Sequence, residues 1–160
     1  MAAESSSRKM IVPLGFSKVQ EGVYRSAYPA SKSFPFIRTL GLKSMVCLCP
    51  GDVRSELETF CAEQSITLLK YDVKFNQDPF LCMCEDTINA ILDHVQNDAN
   101  QPVLLFSFNG RVSTACVVGC LRKRTRWCMS SIILEFEQFS EPDGSLCDLQ
   151  FIDSFESKPS

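Results

Sequence analysis

Residues 102–106, Pro-Val-Leu-Leu-Phe, form a wholly apolar run that is followed at once by a polar turn. A short run of this kind is typical of a strand that is covered on both faces of a sheet. Parallel sheets are built from such strands, and helices connect them. The run therefore predicts an α/β fold with a central, mainly parallel sheet.

The rest of the chain alternates between segments of strand and helix character. Strands are predicted at residues 16–19, 23–25, 43–48, 66–73 and 102–106, and helices at residues 33–40, 54–64, 86–96, 113–126, 130–139 and 146–155. The order β-β-α-β-α-β-α-β-α-α-α predicts right-handed crossovers, with helices on both faces of the sheet. We expect one domain over residues 11–156, between polar tails at residues 1–10 and 157–160.

Charge and hydropathy restrict the classes of function. A net charge of −3 argues against a general nucleic-acid or membrane partner, because neither polyanion is attracted by the overall field. The first residues contain no apolar signal segment, and no stretch is long enough to span a membrane. We therefore expect a cytoplasmic protein.

The nine cysteines raise the question of disulfides or a metal site, but their pattern favours neither. The close pairs have the spacing C-x-C, several lie in apolar runs such as residues 45–49, and the only histidine is His94. Zinc sites usually combine a C-x2-C pair with a second pair or with histidines. We predict reduced, mostly buried thiols, no metal and no cofactor, with His94 as an ordinary surface or boundary residue of a helix.

The turn after residues 102–106 is the candidate functional site. Ligands of open α/β sheets bind beyond the carboxyl ends of the strands, and a glycine-containing turn before a helix can direct its amides at an anion. Cysteine phosphatases place a thiolate at the start of such a loop and an arginine six positions later. The candidate ligand-binding residues are Ser107, Phe108, Asn109, Gly110, Arg111, Val112 and Ser113.

Several blocks of the chain, in order, resemble one phosphatase family. They are residues 11–29, residues 34–44, the segment Asn-Gln-Asp-Pro-Phe at 76–80, residues 119–127 and residues 131–139. These blocks are similar to those of the plant-and-fungal atypical dual-specificity phosphatases. The resemblance implies a cysteine-phosphatase fold, activity on phosphotyrosine and inositol pyrophosphates, and a loop of the form His-Cys-Lys-x-Gly-Lys-x-Arg-Thr-Gly.

The loop departs from this family pattern at the positions that carry the chemistry. Phe106, Ser107, Phe108 and Ser113 stand where the family has a histidine, the cysteine nucleophile, a lysine and the arginine. Without the thiolate and the guanidinium, the transition state would lose much of its stabilisation. The departures predict that no catalytic residue is intact, with degenerate positions at Ser107 and Ser113 and with Asp78 as a candidate vestigial general acid.

Three functions are open at this point. The preferred interpretation is a pseudophosphatase, a catalytically inactive binding or scaffold subunit whose protein partners would include active family relatives. The second is a phosphatase acting on phosphotyrosine or an inositol pyrophosphate. The third is a sensor that binds inositol polyphosphates through the loop amides and Arg111 without hydrolysing them.

Two further groups of residues bear on this choice. Phe106 and Phe108 would make the floor of the pocket apolar, which favours an occluded pocket or a partner surface. A late basic cluster is interpreted either as a solvated helix face or as a binding patch, and it consists of Arg122, Lys123, Arg124 and Arg126.

Overall fold

The computed structural model describes residues 9–73 and 84–158, and in these ranges the strands form one sheet. The strands are β1 (Ser17–Gln20), β2 (Val23–Ala27), β3 (Ser44–Cys47), β4 (Thr67–Lys70) and β5 (Val103–Ser107). Their spatial order is β1-β2-β5-β3-β4; β1 is antiparallel to β2, and all other pairs are parallel. β5 lies in the middle and is buried along its whole length, as its apolar sequence predicts.

The helices connect the strands and then cover the sheet after β5. They are α1 (Phe34–Thr39), α2 (Ser55–Glu63), α3 (Glu85–Gln96), α4 (Val112–Arg124), α5 (Met129–Ser140) and α6 (Leu146–Ser154). This order confirms the predicted α/β fold. Within the described ranges, no helix combines the length and the apolar character needed to cross a membrane.

The edges of the sheet differ from the prediction. The predicted strand at residues 66–73 pairs only over Thr67–Lys70, because its partner β3 ends at Cys47, which lies opposite Lys70. At the other edge, the pairing of β1 with β2 shifts register between Lys18 and Gln20. Both edge strands are four residues long.

Alternate residues of β5 divide the hydrophobic core into two layers. Val103 and Leu105 belong to a cluster that includes buried residues of α3, α4, α5 and α6. Leu104 and Phe106 belong to a second cluster with buried residues of α1 and α2. Helices therefore cover both faces of the sheet, and the carboxyl end of β5 is fixed between them.

Candidate functional site

The candidate site is the connection between β5 and α4. Ser107 is the last residue of the strand, and the helix begins at Val112, one residue before the predicted start. The first amides of a helix have no acceptor within the helix, and the helix dipole is positive at this end. The structure thus brings the candidate residues of the loop together at the amino end of a 13-residue helix.

Gly110 fixes the path of this loop. Its φ of +72° lies in the left-handed region, which residues with a side chain rarely adopt. A Cβ atom at this position would lie 2.6 Å from the amide nitrogen of Ala27 and 2.9 Å from the Ala27 Cα atom. The loop backbone therefore lies directly on the end of β2, and this close approach requires glycine.

The two positions at which the family loop carries its reactive groups are occupied by buried serines. Ser107 is 4% exposed, and Ser113 is also 4% exposed. Thr114 is fully buried, and its Oγ1 atom donates a hydrogen bond of 2.8 Å to Ser107 Oγ. This contact places the Ser107 oxygen against the first turn of α4. At the positions of Ser107 and Ser113, hydroxyl groups replace the thiol and the guanidinium of the family loop.

Arg111 is held by a partner that the sequence did not reveal. Its Nη1 atom lies 3.0 Å from Oδ2 of Asp143, which belongs to the turn between α5 and α6, and both side chains are 46% exposed. The backbone amide of Arg111 donates to Oδ1 of Asn109 at 2.9 Å. Arg111 thus retains a positive charge at the loop, but an acidic side chain already binds it.

The two phenylalanines lie apart and do not form a common pocket floor. Phe106 is buried, and its ring meets the ring of Tyr28 edge to face at 5.2 Å on the side of α1 and α2. Phe108 is 72% exposed and lines a cavity of about 310 Å³ together with Tyr28 and residues 11–14. The expectation that both rings form an apolar pocket floor is wrong for Phe108, because its side chain is largely exposed.

The basic cluster is largely structural. Arg122 is buried, forms a 3.1 Å ion pair with Glu135 and stacks 3.9 Å from the centre of the Trp127 ring. Arg124 forms a 2.8 Å ion pair with Asp93, and its guanidinium also donates to Gln96 and Asn89. Through these contacts the two arginines connect α4 to neighbouring helices. Neither of the two interpretations from the sequence, a solvated helix face or a binding patch, therefore applies to them.

Two cysteines of α4 and His94 lie in ordinary surroundings, and the candidate vestigial acid lies outside the described residues. Cys116 and Cys120 are buried in α4, and burial raises the pKa of Cys120 far above its usual value. Nε2 of His94 lies 3.1 Å from Oγ of Ser44. Asp78 lies outside the described residues.

Most of the cysteines in the described ranges are buried. This agrees with the prediction of mostly buried thiols for those residues. Within the same ranges, no cluster of histidine, cysteine and acidic side chains has the composition to hold a metal ion.

Comparison with known proteins decides the family. The family model described as "Tyrosine phosphatase family" matches residues 10–160. The chain belongs to the tyrosine phosphatase family. It is 37% identical over 147 residues to inositol diphosphatase DSP1 of Oryza sativa subsp. japonica, covering 92% of this chain and 66% of that protein. It is 31% identical over 156 residues to inositol diphosphatase DSP4 of Arabidopsis thaliana, covering 98% and 79% respectively.

Solved structures of other proteins have the same fold. The core catalytic domain of the PP-IP phosphatase SIW14 from S. cerevisiae, in complex with citrate, matches with a TM-score of 0.87 and 32% identity, over 92% of this chain and 89% of that one. TpbA of P. aeruginosa matches with a TM-score of 0.73 over 96% and 93% of the two chains, but its 16% identity bears on the fold alone. These matches confirm the predicted cysteine-phosphatase-like fold.

The comparisons also correct the preferred functional interpretation. The prediction of a catalytically inactive scaffold subunit is wrong, because relatives that match over nearly the whole chain are named inositol diphosphatases. The prediction gave decisive weight to the side chains at Ser107 and Ser113. The path of the loop, the packing of Gly110 and the amides of α4, which are features suited to phosphate binding, do not depend on those two side chains.

Proposed function

We propose that the chain is an inositol-pyrophosphate phosphatase whose loop, residues 107–113, takes the diphosphate group of the substrate. The observation that carries the proposal is the intact connection of β5 to α4, with Gly110 packed on the end of β2. An arrangement of this kind can direct the first amides of α4 and the positive end of its dipole at phosphate oxygens. The names of the relatives support inositol diphosphates as the substrate class.

The side chains of this loop indicate a slow enzyme. Ser107 supplies a hydroxyl, which is a weaker nucleophile than a thiolate, and its Oγ atom accepts a hydrogen bond from Thr114 rather than donating one to a base. Ser113 cannot form the paired hydrogen bonds that an arginine makes to phosphate oxygens. Loss of a single transition-state donor typically lowers kcat by about 10²- to 10³-fold. We therefore expect turnover at least that far below turnover by relatives with the complete loop.

A second candidate function, binding of an inositol polyphosphate without hydrolysis, is favoured by the contact between Thr114 and Ser107. Because Thr114 donates to Ser107 Oγ, the hydrogen of the Ser107 hydroxyl is directed to a different acceptor. A phosphate oxygen in the loop would be such an acceptor. In this arrangement Ser107 acts as a hydrogen-bond donor to the ligand and not as a nucleophile.

The two candidates are separated by measuring turnover and binding on the same preparation of the full chain. Release of phosphate from a diphosphoinositol polyphosphate is followed over long incubations, and binding of the same compound is measured by calorimetry. Turnover that is lost in Ser107→Ala supports the phosphatase. Binding without turnover, weakened by Ser107→Ala, supports the second candidate. Absence of both turnover and binding would overturn both.

Two controls make the result specific to the loop. Ser154→Ala changes a serine at the end of α6 whose hydroxyl donates to the carbonyl of Phe151, so it should leave turnover and binding unchanged. The double change Ser107→Cys and Ser113→Arg restores the cysteine and the arginine of the family pattern and should raise turnover. A trace of contaminating phosphatase would give the same rate in all of these variants.

A further inference from the structure

We propose that Asp143 sets the affinity of the loop for anions, because it competes with the ligand for the guanidinium of Arg111. The inference concerns the ligand site of the proposed function and therefore rests on it. It names a residue outside the loop as a determinant of which anions bind. A ligand must carry enough negative charge to displace the Asp143 carboxylate.

The contact is direct and can be reached from solvent. Nη1 of Arg111 and Oδ2 of Asp143 are 3.0 Å apart, and close to half of each side chain is exposed. Arg111 is the residue immediately before α4, so its backbone lies at the amino end of this helix. An anion that enters the loop therefore meets a cation that already has a carboxylate partner.

The position of Asp143 is built into the turn between α5 and α6. Its backbone amide donates to the carbonyl of Ser140 at 2.9 Å, and the amide of Gly144 donates to the same carbonyl at 3.2 Å. On the other side, Ser145 and Asp148 form a capping box that fixes the start of α6. The carboxylate is thus held beside Arg111 by a defined backbone and not by a chance contact of a long side chain.

The competition predicts selectivity by charge. A single inorganic phosphate would have to replace one anionic partner of Arg111 by another and would gain little. A ligand with several phosphates can bind the loop amides with one group while another displaces Asp143. The acidic turn would then repel weakly charged anions and admit polyphosphates.

The test compares Asp143→Asn with Glu141→Gln in the full chain. Both changes remove one negative charge from the same turn, but Glu141 has no ion pair with Arg111 in the described part of the chain. Binding of inositol hexakisphosphate and of inorganic phosphate is measured by calorimetry at low and at moderate salt. Asp143→Asn should raise the affinity for the polyphosphate roughly two- to fivefold at low salt, the range of an exposed ion pair. Glu141→Gln should change it less.

A second pair of variants shows whether the gain acts through Arg111. In the background of Arg111→Ala, the change Asp143→Asn should no longer raise the affinity. An equal gain in Glu141→Gln, or a gain that persists without Arg111, would overturn the proposal and indicate a general effect of net charge. It would also be overturned if Asp143→Asn bound neither anion or bound both no better than the unchanged chain.

These binding measurements, together with the turnover assay of the proposed function applied to the same variants, separate this inference from the proposed function. If Asp143→Asn binds the polyphosphate more tightly through Arg111 while no variant hydrolyses a diphosphoinositol polyphosphate, the phosphatase proposal fails and the role of Asp143 stands. If hydrolysis is observed but affinity does not respond to Asp143→Asn, the role of Asp143 fails and the phosphatase proposal stands.

Discussion

Replacement of Gly110 by alanine tests whether the loop is fixed by its contact with β2. An alanine at φ +72° would be strained by about 1–2 kcal/mol, the cost of the left-handed region for a residue with a Cβ atom. The new methyl group would also lie 2.6 Å and 2.9 Å from backbone atoms of Ala27, which cannot rotate away. Overpacking of this kind costs about 1–3 kcal/mol. We therefore expect Gly110→Ala to lower the free energy of unfolding by about 2–5 kcal/mol.

Gly41 provides a matched control for this measurement. Its φ of +61° is also left-handed, but no atom lies within 4 Å of the place where its Cβ would stand. Gly41→Ala should therefore carry only the conformational cost. In a domain of this size, 1 kcal/mol shifts Tm by about 2–4 °C, so thermal unfolding followed by circular dichroism should place Gly110→Ala well below Gly41→Ala. Equal losses of stability in the two variants would refute the argument that the contact with Ala27 shapes the loop.

Three further outcomes are expected elsewhere in the molecule. Arg124→Ala should lower the free energy of unfolding, measured in urea, by about 2–4 kcal/mol, because several hydrogen bonds to α3 are lost. The control Lys123→Ala, on the same helix, should have little effect on this free energy. Hydrogen bonds with Ser130 and Ser131 lower the pKa of the exposed Cys128 to about 7. The alkylation of Cys128 should therefore reach its half-maximal rate near that pH, and Ser130→Ala should move this midpoint upward. An unchanged midpoint would contradict the role of the hydrogen bonds. Burial lowers the pKa of His94, so the unfolded chain takes up a proton more readily than the folded chain. The free energy of unfolding should therefore fall as the pH drops through about 6.5. Urea unfolding at pH 5.5 and 7.5 should show a smaller difference in His94→Gln than in the unchanged chain.

The fold could be predicted from the sequence because its signals are local. The apolar run at residues 102–106 and the helical spacing of its neighbours gave the order of the elements, and the structure confirms that order. The predicted ends of the strands were less accurate, since the point at which a strand ends depends on the strand that pairs with it. β4 stops at Lys70 because β3 ends opposite it, and nothing in the sequence of residues 66–73 records this.

The candidate loop could be predicted from the sequence as the turn between a strand and a helix, but the partners of its side chains could not. The structure has this turn between β5 and α4, because the signals for strand, turn and helix lie in consecutive residues. Arg111 and Asp143 are 32 positions apart, so their ion pair depends on how α5 and α6 return to the loop. The exposure of Phe108 was missed for a related reason, since alternation along the chain does not extend from a strand into a turn.

The lysines at the two edges of the sheet bear on how copies of the protein meet one another. An edge strand presents unpaired amides and carbonyls, and a long, flat edge can recruit a strand from another molecule. Here both edges are only four residues long; β1 carries Lys18 and an irregular register, and β4 ends on Lys70. The ammonium groups of these lysines are strongly hydrated, and the shift in register makes β1 less regular for pairing with a further strand. Joining two such sheets would bring these charged edges together, so we expect both edges of the sheet in the described residues to resist pairing with a second copy.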